Sequence, residues 1–548
     1  MDILLYEHAD IRLDGGSTPG ADAMVVAGER VLTLGRARDL IADFPRARRV
    51  DLLGLPVFPG LIDSHIHFIG YGLGLLQVEL RETRSIAEAV KTIVQGSGGR
   101  PRDGGGPAAG WILGQGWDKN TWAEDRFPTR YDLDPATHER PAAFSSKDGH
   151  LLWVNTAALR AAGITRATPD PAAGAISRDA SGEPDGVLKE EAAALVRHII
   201  PAPTARMREQ AARAAAADVH RVGITGIHNF TGPTEDGPAN FVTLQRLHAR
   251  GDLTVRVVAC VPDSQVEAAA AAGLRTGLGD TMLRVGPLKI FSDGALGSQT
   301  ASMLEPYDGR PGDFGIQVRT PDELDRLVGA AVGAGLWTAI HAIGDRANRE
   351  VLDVLERHLD ASRRIGARHR IEHVQVVHQQ DLPRLARLGV TASMQPIHAT
   401  ADRDIADRYW GRRSRLAYAF RSLLATGAML AFGSDAPVET PDPWRGLYAA
   451  VARKRESEPE RPAWYPDEAI TLREAIRAYT AGAAYAAGAE AWQGTLGPAK
   501  VADFVVLDRD PYAGFPEDLL RVQVLATIVG GRVVHTAGAL DGLSVTGS

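Results

Sequence analysis

Asp63-Ser-His-Ile-His-Phe-Ile69 follows directly on the apolar run Leu55–Ile62. Successive side chains of a strand point to opposite faces, so His65 and His67 project from the same side of any strand this run forms. Two imidazoles one strand-repeat apart make a bidentate claw for a borderline metal such as zinc. Two ordinary strand histidines would look the same, so the decision rests on what the rest of the chain sets beside them.

Downstream, strand-like apolar runs alternate with helical segments. The runs end near Val57–Ile66, Gly223–Asn229, Val255–Val261, Val285–Phe291, Leu336–His341, His369–His373, Val390–Gln395 and Met429–Ser434. Helical patterns intervene at Met207–Arg221, Pro321–Ala334, Arg346–Leu359, His378–Leu388 and Arg415–Ala425. Strand then helix, repeated, predicts a parallel sheet, and eight such strands fit a (β/α)8 TIM-like barrel. A further run, Pro141–Ser146, exceeds that count and is assigned to an insertion after the first barrel strand. Both chain ends carry short β-type runs, with a Gly530-Gly531 hairpin signal near the C-terminus. The division expected is a small β-sandwich from residues 1–55 and 491–548, a barrel from 56–71 and 205–490, and an insertion over 72–204 acting as a lid. Within that insertion, Gly96–Gly110 reads as a surface loop.

On this barrel the ionisable residues fall at strand ends, where barrel catalysts sit. His65 and His67 end the first strand, Lys289 lies in the fourth, His341 ends the fifth, His373 the sixth and Asp435 the eighth. Each alone has an ordinary explanation as a cap, a core histidine or a snorkelling lysine. Their joint placement on five strands points to a divalent-metal site.

The chain resembles the metal-dependent amidohydrolase superfamily, and within it the YtcJ-like branch that includes N-substituted formamide deformylases. The resemblance is carried by GLIDSHIHF at Gly60–Phe68, GWD at Gly116–Asp118, DGHLLWVN at Asp148–Asn155 and LKIFSDGALGSQTA at Leu288–Ala301. It continues with HAIGDRA at His341–Ala347, RIEHVQ at Arg370–Gln375 and GSDAPV at Gly433–Val438. One departure is His228-Asn229, where relatives often carry an acidic residue after the histidine. The resemblance implies two divalent ions, zinc by default, and a carboxylated Lys289. His65, His67 and Asp435 would hold one ion, His341 and His373 the other, and the Lys289 carbamate both. A single-ion site with unmodified Lys289 is the alternative. The implied reaction is hydrolysis of a C–N bond other than a peptide bond, by metal-activated water with Asp435 shuttling the proton. Linear N-substituted formamides or N-acyl amines are the expected substrates; cyclic amides, carbamates or esters would use the same site. An inactive scaffold relative would have lost ligands, and this chain keeps all six. Trp117, Asp118 and His150 in the insertion, with His228 and His398 on the barrel, are candidate substrate contacts.

Composition excludes several other classes. A net charge of −7 over 548 residues, without a long Lys/Arg run, gives no footprint for nucleic acid. No apolar run reaches the roughly 18 residues of a membrane span, and no basic n-region precedes an apolar stretch at the start. The lone cysteine, Cys260, rules out an intrachain disulfide framework and reads as a buried inert thiol. A cytoplasmic homodimer acting on a small amide is the expectation.

Overall fold

The apolar run carrying the histidine pair is two strands rather than one. In the computed structural model, which describes residues 3–13, 20–97, 110–119, 122–124, 126–146, 151–171, 174–232 and 235–540, Pro56–Pro59 and Leu61–Ile66 belong to different sheets. Gly60 is the joint. Its N–H donates to Asp503 O at 2.9 Å, and a Cβ placed there would lie 2.3 Å from Thr225 Oγ1. Only a residue without a side chain lets the two strands part here. We predict that Gly60→Ala lowers stability by about 1–3 kcal/mol, the usual range for overpacking. Urea unfolding would measure it, and an unchanged midpoint would refute the close approach.

The chain divides into two units, Met1–Phe68 with Ala216–Ser548 and Ile69–Ala215. The first contains an eight-stranded sheet of β1 (Leu61–Ile66), β2 (Ile224–Asn229), β3 (Arg256–Pro262), β4 (Leu283–Phe291), β5 (Thr338–Ala342), β6 (Arg370–His373), β7 (Thr391–Met394) and β8 (Leu430–Phe432). Neighbours pair in sequence order and every pairing is parallel. Just past their ends, β1 and β8 are joined by Asp435 N–H to His65 O at 2.7 Å and His67 N–H to Ala436 O at 2.9 Å. The sheet is therefore a nearly closed barrel. All of β1, β2, β5, β6, β7 and β8 is buried, as parallel strands covered on both faces require.

Helices follow the local signals. Pro321–Ala334 starts with a Thr320/Glu323 capping box and ends at Gly335 in the left-handed region (φ 78). Elsewhere the sequence pattern runs long. The segment expected as Arg346–Leu359 is two helices, Asp345–Arg357 and Leu359–Arg364. His378–Leu388 shortens to Leu382–Leu388, whose first turn carries Pro383. Arg415–Ala425 is α-helical only over Phe420–Ala425; Arg415 and Leu416 end a 3-10 helix, Gly411–Leu416, and Tyr418 at φ 52 separates the two.

Two further sheets in this unit draw on both chain ends. One holds Ile3–Glu7, Ala23–Ala27, Arg30–Gly35 and Arg48–Asp51; the other holds Asp10–Ile11, Pro56–Pro59, Phe504–Leu507, Val524–Val529 and Arg532–Thr536. Tyr6, Met24, Val26 and Val50 from the first pack on Phe504, Val506 and Ile528 from the second, with Tyr6 and Phe504 edge to face at 5.0 Å. Gly530 and Gly531 both take positive φ (56 and 73), as a tight hairpin turn demands. Arg256 of β3 ties the barrel to this layer through Asp503, at 2.6 and 2.9 Å with both side chains buried.

The second unit has a six-stranded sheet of Val78–Glu79, Ile112–Trp117, Ala142–Ser146, Leu151–Val154, Pro184–Glu190 and Gly174–Arg178. Its core includes Trp117, Trp122, Leu133, Phe144 and Trp153. No helix among the described residues is long and apolar enough to cross a membrane.

Candidate metal centre

The alternation of a strand fixes where the ligand side chains point, and the barrel brings them to one end. His65 Nε2 and His67 Nε2 lie 3.5 and 3.3 Å from the same oxygen, Asp435 Oδ1. His65, His373 and Asp435 each offer a ligand atom within 4.8 Å of the others. His341 stands against His373 with ring centres 4.6 Å apart, and His373 is 5.0 Å from His65. Lys289, 3% exposed, has its Nζ 4.8 Å from the Phe230 ring centre and 4.6 Å from that of Phe291. The six side chains expected from the sequence thus occupy one buried cluster.

Strain gathers at the same place. His373 (φ 74), Val374 (φ 44) and Asp435 (φ 60) all lie in the left-handed region. Such residues cost of order 1–3 kcal/mol each and persist where surrounding structure imposes them, often at functional sites. At His373 the turn also ends the strand alternation. Glu372 and His373, neighbours in sequence, therefore both approach His65.

Two observations test whether a divalent ion fits. Among the described residues, His65 Nε2 and His341 Nδ1 are buried with no hydrogen-bond partner. Orphaned buried nitrogens are costly unless something not included in the protein chain takes their lone pairs. The protonation states also suit ligation, which needs neutral imidazole and ionised carboxylate. Burial, helped by the Lys289 charge, pushes His65 down to about 4 and His341 down to about 3. Burial also holds His373 well below the usual histidine range, with His341 adding to it. For Asp435 burial favours the acid, but the charge of His65 and a hydrogen bond from His67 outweigh it and hold the carboxyl well below its usual range. His67 departs from this pattern: burial lowers it, yet Asp435 and Glu235 raise it to about 9. A cation bound among these groups would oppose that proton. The donor set of imidazoles and carboxylate, without thiolate, suits a divalent transition metal.

Several residues of the site are not among those singled out from the sequence, although Arg370, Glu372, Asp293 and Gly294 lie inside quoted motifs. Glu372 Oε2 is 2.6 Å from His65 Nδ1, and Arg370 grips Glu372 at 2.5 and 3.0 Å. Glu235 Oε1 is 3.3 Å from His67 Nδ1. Gln395 Oε1 lies 2.8 Å from His373 Nδ1, and Gly294 O lies 3.0 Å from His341 Nε2. Asp293, pushed up to about 7 by burial, accepts N–H bonds from Ser302, Ile343 and Gly344 and so shapes the loop that supplies Gly294. The alternating Arg370-Ile-Glu372 of a buried strand was a further hint.

The candidate substrate contacts separate. His398 is buried, its ring parallel to His373 at 6.4 Å, and its Nε2 has no hydrogen-bond partner among the described residues. His228 Nδ1 instead faces Arg370 at 2.7 Å, inside the buried network. Its neighbour Asn229 accepts the Phe68 N–H at 3.0 Å through its side-chain oxygen, an anchoring role. Trp117 is enclosed in the core of the second unit, its N–H donated to Phe144 O at 2.8 Å and its ring stacked on Trp122 at 5.8 Å. Asp118 is partly buried after that strand, and His150 lies outside the described residues. Cys260 is buried and its thiol pushed up to about 12 by burial, consistent with an inert role.

A sequence model described as the Amidohydrolase family matches residues 48–535. A Bacillus subtilis (strain 168) protein named as an amidohydrolase, YtcJ, is 34% identical over 90% of this chain and 91% of its own length. The N-substituted formamide deformylase of Arthrobacter pascens is 28% identical over 96% of this chain and 97% of its own. Among solved structures, an uncharacterised metal-dependent hydrolase from Pyrococcus horikoshii OT3 superposes with a TM-score of 0.77 at 28% identity, covering 94% of this chain and 99% of that one.

Proposed function

Since the chain belongs to the amidohydrolase family, we propose that it hydrolyses the C–N bond of a linear amide of the N-substituted formamide or N-acyl amine type. The observation that carries this reading is the convergence of His65, His67, Lys289, His341, His373 and Asp435, with two imidazole nitrogens left without partners. Likeness to the formamide deformylase over nearly the whole chain supports the substrate class.

In this reading His65, His67 and Asp435 would hold one divalent ion, and His341 and His373 a second. Zinc is the expected metal. Burial lowers the pKa of Lys289, which favours the neutral amine that reaction with CO2 requires. Addition of that nitrogen to the carbon of CO2, with loss of one N–H proton, would make Lys289 an anionic oxygen donor toward the bound metal. A divalent metal held by these residues would supply Lewis-acid polarisation of a carbonyl and a water whose pKa falls toward about 7. The protein's own part is proton transfer. Asp435, held ionised by its histidine neighbours, takes the proton of the attacking water and passes it to the departing nitrogen. Amines leave poorly unless protonated, so this delivery matters as much as the uptake. His398, with its free Nε2, contacts the substrate in this scheme.

A panel of formanilides, N-acyl amines, cyclic imides and aryl esters tests the proposal. Formanilides or N-acyl amines should show the highest kcat/KM. Turnover confined to cyclic imides or to esters would overturn it.

A further inference from the structure

His65 and His67 share an arrangement that the ligand set alone does not require. Each has its Nδ1 facing a carboxylate and its Nε2 facing Asp435 Oδ1. The carboxylates come from separate parts of the barrel, Glu372 from β6 and Glu235 from the segment between β2 and the helix Gly237–Ala249. A neutral imidazole carries one N–H; at His65 the carboxylate opposite Nδ1 is at 2.6 Å and the one opposite Nε2 at 3.5 Å, so the proton goes to Nδ1 and the lone pair stays on Nε2. We infer that Glu372 is a positioning residue that fixes the tautomer and ring angle of His65, so that its Nε2 lone pair faces the cluster beside Asp435, and that Glu235 steadies the ring angle of His67. The inference rests on the metal centre proposed above.

The two carboxylates are held with unequal firmness. Glu372 is fully buried and clamped by Arg370, whose remaining donors reach Ser64 O at 2.6 Å, Ser393 Oγ at 2.5 Å and His228 Nδ1 at 2.7 Å. Every lone pair that Glu372 turns toward His65 is thus fixed by partners that cannot move far. Glu235 is partly exposed and is steadied by Gly232 N–H at 3.2 Å and Asn240 Nδ2 at 3.0 Å. Its contact with His67, at 3.3 Å, is also longer than the 2.6 Å of Glu372 with His65. Partners of this kind, one step beyond the ligands, typically change metal affinity about 10–100-fold when removed.

The experiment is a competitive Zn2+ titration of metal-stripped protein, run on the unmodified chain, Glu372→Gln and Glu235→Gln. The expected result is Zn2+ affinity about 10–100-fold weaker in Glu372→Gln and weakened less in Glu235→Gln, with far-UV circular dichroism unchanged. Equal affinity in all three would overturn the positioning role while leaving the metal centre standing. Failure of the unmodified chain to bind Zn2+ would overturn the centre itself. Glu372→Gln leaves Arg370 without its counter-charge and can fail to fold, so a second measurement uses the unmodified metal-free protein. Nitrogen-15 histidine NMR, with the His65 signal assigned by its loss in His65→Gln, should find His65 protonated on Nδ1. Protonation on Nε2 would overturn the inference without any variant at Glu372.

Discussion

Asp435→Asn should lower kcat for an amide by at least ~10²-fold while leaving metal binding in place. The amide keeps an oxygen at the position that meets His65 and His67 at 3.5 and 3.3 Å. It loses the negative charge and the proton-accepting lone pair of an ionised carboxylate. A positioned acid–base group is worth about 10²–10⁴-fold, which sets the lower bound. The loss should depend on the leaving group. An amine must receive a proton to depart, whereas p-nitrophenolate leaves without one, so an activated aryl ester should lose less. Steady-state kinetics on both substrates, at metal content matched to the unmodified enzyme, makes the comparison. Equal losses on amide and ester would mean that Asp435 does not protonate the leaving group.

The second large effect belongs to Lys289. Lys289→Ala should bind fewer than two ions per chain and turn over amide near background. Short carboxylates such as acetate or propionate, supplying the missing anionic oxygens, should restore part of both. The basis is a lysine buried against Phe230 and Phe291 within the cluster, its pKa lowered by burial. A charged ammonium there would meet both desolvation and repulsion from any bound cation. Normal turnover in Lys289→Ala would remove the carbamate from the mechanism. Loss without carboxylate rescue, at full metal occupancy, would favour an unmodified lysine acting as a donor.

How far the sequence discloses this site depends on the range of the signals involved. The barrel strands are legible because alternation and crossover helices are local patterns, and the ends of β2 to β7 fall within a few residues of the expected runs. The split at Gly60 is not legible, because the reason for it, Thr225, lies far along the chain and enters only through packing. The same holds for Glu372. A carboxylate beside His373 in RIEH gives no local sign of a partner, and its partner His65 is 307 positions away. Glu235 sits in a loop where an acid is ordinary, and only its approach to His67 singles it out. Trp117 shows the reverse case. Its motif draws attention as a candidate substrate contact, whereas the structure closes its ring among Trp122, Trp153 and Phe144. That His65, His67, His341, His373 and Asp435 come together is legible because each sits at or just past the end of a barrel strand, where side chains of different strands converge.

The central claim is that the buried cluster of histidines, Lys289 and Asp435 runs metal-dependent amide hydrolysis. Its most direct test is amine release from an N-substituted formamide such as formanilide, followed through chelation and reconstitution. Protein stripped of metal, with the content verified by elemental analysis, should lose this activity. Addition of zinc with bicarbonate should restore it as occupancy rises toward two ions per chain. Undiminished formanilide turnover by verified metal-free protein would contradict the account.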